Sequence, residues 1–133
     1  MASTQANLKL TQVQGVTAVS EDGSTPAAQT IRLTHELLKS TEDASSGNEV
    51  VNISALYWTL GSGATATITR NSVLLHTMHM SGKLEFYGFA DNRQNTSDIV
   101  VSVTGGAGTV IVQTAKVSGY GPQQHQGADG DLG

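Results

Sequence analysis

A chain of 133 residues with 15 glycines, no cysteine and a formal net charge of -4 has room for one hydrophobic core, and disulfide or thiolate chemistry is excluded. Its seven lysines and arginines are scattered, which argues against the cationic footprint needed to hold nucleic acid or an anionic membrane. No run approaches the roughly 18 apolar residues of a membrane span, and "MASTQANLKLTQ" lacks the basic-then-apolar order of an export signal.

From the N-terminus, residues 1–6 are small and polar and read as an arm. "NLKLTQVQGVTAV" then places apolar side chains at Leu8, Leu10, Val13, Val16 and Val19, with Gly15 at a bend or bulge where the alternation changes phase. "SEDGSTPAA" is a turn by its Asp-Gly and Pro content. "QTIRLTHELL" sets Ile31, Leu33, His35 and Leu37 against Thr30, Arg32, Thr34 and Glu36, a period of two that predicts a half-buried strand. The competing reading is a short helix over "THELLKSTED".

"STEDASSGN" is a polar, acidic loop. "EVVNISALYWTL" is apolar on both parities, which predicts a central strand covered on both faces, with Trp58 as core bulk. "GSG" then reads as a hairpin turn into "ATATITR", with Ala64, Ala66 and Ile68 inward and Thr65, Thr67 and Thr69 outward. "RNS" is a tight turn into "VLLHTMHM", and "SG" leads to "KLEFYGF", with Leu84 and Phe86 on one side. Beyond the polar loop "ADNRQNTSD", the runs "IVVSVT" and "TVIVQTAKV" joined by "GGAG" read as a last hairpin. The expected fold is all-β: an antiparallel β-sandwich or jelly roll of about eight strands over residues 7–120. Residues 121–133 are too rich in Gly, Gln and Asp to pack by themselves and read as a C-terminal arm.

Motifs that could carry chemistry fail on spacing. "HELLK" opens like a zinc-protease helix, but the place of the second histidine holds Lys39. "HTMH" puts His76 and His79 on opposite faces of a strand, with His76 beside Met78, whereas a metal needs three or four converging ligands. His35 falls on the apolar parity, where a core or interface imidazole is expected, and no Ser or Thr is marked as its partner. "GSGAT" and "GGAG" lack the Lys-Ser/Thr and following helix of a phosphate loop. "ADGDLG" lacks the downstream Glu of a calcium loop. The sequons at Asn52 and Asn95 read as chance matches in the absence of an export signal. The aromatic residues Tyr57, Trp58, Phe86, Tyr87 and Phe89 read as core bulk before they read as a sugar platform. No enzyme, metal or cofactor site is expected.

The run "YWTLGSGATATITRNSVLLHTMHMSGKLEFYGF" and the later "NTSDIVVSVTGGAGTVIVQTAKVSGY" resemble small virion structural proteins of tailed bacteriophages, especially marine and cyanobacterial phages. The resemblance covers about half of the chain, roughly Asn52 to Tyr120. It implies a β-domain made in the host cytoplasm that binds the capsid surface as a decoration or cement protein. It also implies clamping of the major capsid protein or another virion protein and homo-oligomerisation, with a trimer as the expected state.

The residues expected to anchor such assembly are Leu8 and Leu10 near the first arm and Tyr120 and Pro122 leading into the last, Tyr120 being the best single choice. Leu8 and Leu10 read equally well as plain members of a first strand. The alternative function is a tail or head-tail module that binds a receptor or glycan. Its polar contacts would come from "ADNRQNTSD", with an exposed aromatic near Arg93.

Overall fold

Runs of β-branched and small apolar residues at every second position, broken by Gly, Asn and Asp, form strands throughout. A computed structural model describes residues 3–11, 13–24, 27–33, 37, 42–44, 49–86, 90–118 and 120–122. Among them are eleven strands and no helix: β1 (Ser3–Leu10), β2 (Gln14–Glu21), β3 (Gln29–Ile31), β4 (Glu42–Ala44), β5 (Val50–Leu60), β6 (Thr65–Arg70), β7 (Val73–His79), β8 (Ser81–Glu85), β9 (Ile99–Thr104), β10 (Gly108–Ser118) and β11 (Tyr120–Pro122). A five-stranded sheet in the order β1-β2-β10-β5-β8 packs on a four-stranded sheet in the order β3-β9-β6-β7, and β4 pairs separately with β11. Every pairing is antiparallel. The expected antiparallel sandwich is what forms.

The core lies between the two sheets. Val19, Val51, Ile53, Leu56, Val110 and Val112 of one sheet meet Ile31, Ala66, Ile68, Met78, Ile99, Val101 and Val103 of the other. The alternation of β6 is as expected, with Ala66 and Ile68 buried and the threonines half-buried outside. Its next inward position, however, holds Arg70, which is fully buried. Arg70 Nη1 donates to Val51 O at 2.6 Å, while Nε and Nη2 donate to Ser97 O at 2.9 and 2.6 Å.

β5 departs from the expectation of a strand covered on both faces. Gln113 pairs with Ala55 and Thr114 with Ile53, which leaves Ser54 as an extra residue. That bulge changes the phase of the strand. Val51 and Ile53 point inward before it and Leu56 and Leu60 after it, so both parities carry apolar residues although one face makes the core. Trp58 is only partly buried. Its ring lies over Gly82, where a Cβ would stand 2.8 Å from Cζ2, and Nε1 donates to His79 O at 2.9 Å. It closes the seam between β8 and β7 and does not sit at the centre of the core.

Neither Gly-rich hairpin forms. β5 pairs with β10 and β8, and β6 with β7 and β9, so "GSG" carries the chain from one sheet to the other. "GGAG" does the same between β9 and β10. The physical reason is that a strand pair facing each other across a core shows the same inward alternation as a pair joined edge to edge. Gly61 N donates to Ala107 O at 2.7 Å, which holds these two crossings together. A third crossing, from β7 to β8, is made at Met80 alone, with a φ of 60°. The tight turn expected at "RNS" does form, with Asn71 and Ser72 at φ 50° and 63°, the left-handed pair that suits a two-residue hairpin.

Other expectations shift locally. Residues 3–6, read as an arm, form the first half of β1 and pair with residues 18–21. Gly15 makes regular pairs with Leu10 and Thr114; a Cβ there would stand 2.7 Å from Leu37 Cδ2, so close approach and not a bulge explains it. The strand expected through Leu37 ends at Ile31, although Leu33 and Leu37 are buried as the alternation implied. His35 lies outside the described residues. The acidic stretch read as loop contributes β4.

Candidate assembly surface

The four residues expected to anchor assembly separate into three situations. Leu8 stands at a bulge in the edge strand β1, unpaired between Asn7 and Lys9, and is 59% exposed. Leu10, two positions later, packs against the core and belongs to the sandwich. Tyr120 and Pro122 fall on β11, where their backbones pair with Ala44 and Glu42.

Two apolar residues not singled out in advance lie at the same end of the five-stranded sheet as Leu8. Val13, at the tip of the β1-β2 turn, is 68% exposed, and Val117, left over at a bulge in β10, is 57% exposed. They are neighbours, because Lys116 N donates to Val13 O at 2.9 Å. Lys116 itself is buried, and its ammonium donates to Thr11 O at 2.8 Å, which fixes the turn that presents Val13. Large side chains held open to water by bulges and a turn add nothing to the core, and where such side chains gather they offer apolar surface to another molecule. At the far side of the sandwich, β7 is the edge of its sheet, and Val73 and Leu74 are exposed on it.

The polar loop spanning residues 91–98 is spent largely on the domain itself. Asp91 pairs with Ile53 as an isolated bridge, and Val51 N donates to Asn95 O at 2.9 Å. Asn95 Nδ2 donates to Asn52 Oδ1, Asn71 Nδ2 to Gln94 Oε1, and Leu33 N to Asp98 Oδ1. Arg93, the expected centre of a glycan site, grips both oxygens of Asp91 at 3.0 and 2.7 Å and also donates to Leu75 O at 3.1 Å. Among the described residues, Phe86 has its ring centroid 6.2 Å from that of His76 and packs against the core; Tyr87 and Phe89 lie outside the described residues.

Asp91 also lies 2.8 Å from His76 Nε2. An ionised carboxylate only accepts, so that nitrogen carries the proton. The hydrogen bonds from the Arg93 side chain lower the Asp91 pKa from 3.8 to about 2, outweighing the opposing effect of burial. Because the folded value lies below the unfolded one, this carboxylate contributes stability above about pH 4 and loses it as the pH falls towards 2. Asp91→Asn is therefore expected to lower stability at neutral pH by about 2 kcal/mol and to flatten the loss between pH 4 and 2. Urea titrations across that range check both.

Among the described residues no three His, Asp or Glu side chains gather as a metal site. His79 points away from His76, towards Thr65 Oγ1 at 3.5 Å.

No family model matches the chain, and no curated protein matches it. A solved structure with some similarity is the crystal structure of a sugar phosphate isomerase of the cupin superfamily from Silicibacter pomeroyi. The TM-score is 0.41 at 13% identity, covering 96% of this chain and 82% of that one.

Proposed function

We propose that the protein is a non-enzymatic structural component of a tailed-phage particle, a decoration or cement domain that binds the capsid surface and clamps neighbouring shell subunits. The observation that carries this reading is the set of Leu8, Val13 and Val117, held exposed at one end of the five-stranded sheet. The resemblance of residues 52–120 to phage virion proteins supplies the partner: the major capsid protein, with the domain itself a trimer about the shell's threefold positions.

Co-sedimentation of the purified protein with undecorated phage heads tests it. Saturable binding at a fixed number of copies per head is the expected result. Leu8→Lys combined with Val117→Lys is expected to weaken that binding by roughly tenfold or more, as loss of apolar interface anchors does. At such exposed positions the thermal midpoint should barely move. Binding to heads that the double variant leaves intact would reject this surface, and no binding at all would reject the capsid assignment.

A further inference from the structure

The bulge at Ser54 builds something that adhesion at the sheet end does not use. β8 leaves the side of β5 after Glu85, with Phe86 N still donating to Ser54 O at 3.3 Å, and Asp91 pairs with Ile53 further along β5. Between those two points the outer face of the five-stranded sheet is concave. The result is a groove of about 650 Å³, within the size range of small-ligand sites. Ala55, Ala90 and Ala115 line it with short side chains.

The polar side chains around it are Asn52, Ser54, Glu85, Asn92 and Gln113, together with the phenol of Tyr57. They come from three strands and the loop after β8, and several are fixed in orientation. Tyr57 Oη donates to Glu85 Oε2 at 2.6 Å. Asn52 Oδ1 accepts from Asn95 Nδ2 at 3.0 Å, which leaves the Asn52 amide nitrogen as the donor on that side. Ser54 Oγ donates to Gln113 O at 3.1 Å.

We infer that this groove binds a neutral, hydroxyl-rich ligand, a short oligosaccharide. No Lys or Arg is among its described lining residues and Glu85 brings a negative charge, while the nearby Lys83 ammonium is drawn to Glu85 itself, so a phosphate or carboxylate would find no cation of its own. Glu85 is already engaged by Tyr57 and stands 3.5 Å from Lys83 Nζ, which weakens any pull on a cationic ligand. A purely apolar ligand would displace water from the Asn52 amide nitrogen and the half-buried Gln113 amide without replacing its hydrogen bonds. Vicinal hydroxyls both donate and accept, as these amides do, and the Tyr57 ring supplies the apolar wall that the carbon face of a sugar needs. The inference is independent of the capsid assignment, since the groove and the Leu8-Val117 surface share no residue.

The test is a titration of the ¹⁵N-labelled full chain, followed by amide chemical shifts, with maltotriose, chitotriose and inorganic phosphate as separate probes. Saturable shifts at Asn52, Asn92 and Gln113 are expected with at least one trisaccharide at millimolar concentration, the affinity range of a shallow polar site. None is expected with phosphate. Gln113→Ala and Asn92→Ala should each weaken the trisaccharide by roughly tenfold, the loss of a hydrogen bond that leaves its partner unpaired. Leu8→Lys should leave it unchanged. Absence of saturation with both sugars, shifts that map elsewhere, or affinity that survives both alanine variants would overturn the assignment. None of those results bears on binding to heads.

Discussion

Arg70→Met should unfold in urea with a stability about 3 kcal/mol below that of the parent chain, and Arg70→Lys should recover little of the loss. The guanidinium is fully buried and gives three donors to two carbonyls, Val51 O on β5 and Ser97 O ahead of β9. It thereby ties the five-stranded sheet to the loop that leads into the four-stranded one. Methionine fills similar volume but leaves the buried Val51 O and the part-buried Ser97 O without this partner, at about 1–3 kcal/mol for a buried group left unpaired. A lysine brings one point of charge on a flexible stem where a planar fork is needed to reach two acceptors in different directions. An unchanged urea midpoint for Arg70→Met would mean that water reaches both carbonyls and that the arginine is dispensable.

Gly105→Ala should cost about as much, for a different reason. Gly105 has a φ of +81°, and a Cβ there would stand 2.6 Å from Gly63 O, a backbone atom of the neighbouring crossing. The left-handed conformation alone costs an alanine about 1 kcal/mol. The clash adds about 2 kcal/mol, because neither backbone can move without disturbing the bond from Gly61 N to Ala107 O. The matched control is Gly63→Ala. It has the same φ of +81°, but its Cβ would sit 3.7 Å from Gly105 O, an ordinary contact. A loss of about 3 kcal/mol at Gly105 against about 1 kcal/mol at Gly63 would separate steric crowding from backbone preference, and equal losses would show that crowding contributes nothing. Thermal melts of the two variants side by side make the comparison.

Strand positions were legible wherever one face is buried and the chain runs straight. Ala64, Ala66 and Ile68 against three threonines left little choice, and continuing that parity by one step points to Arg70 as an inward residue, a signal that the polar character of arginine hides. Bulges defeat the same logic. Leu8 and Leu10 share a parity, yet the extra residue in β1 puts one in water and the other on the core. The bulge at Ser54 likewise made a one-sided strand read as two-sided. Glycine-rich links mark where the chain reverses but not whether it returns to the same sheet, because that depends on partners dozens of residues away. For the same reason the groove was invisible in sequence: Asn52, Asn92 and Gln113 meet only once β10 lies beside β5. Val13 and Val117 carry no sequence signal for exposure at all.

The place of β10 between β2 and β5 also sets an order of events during synthesis. The β1-β2 and β6-β7 hairpins can form from neighbouring segments, but β2 and β5 have no bond to each other until Gly108–Ser118 arrives to join them. Until then each keeps a long bare edge, the kind of template on which nascent chains aggregate. Folding of the larger sheet is thus a late, nonlocal step with a correspondingly low rate, and a chain cut short before Gly108 lacks the strand that joins β1-β2 to β5-β8.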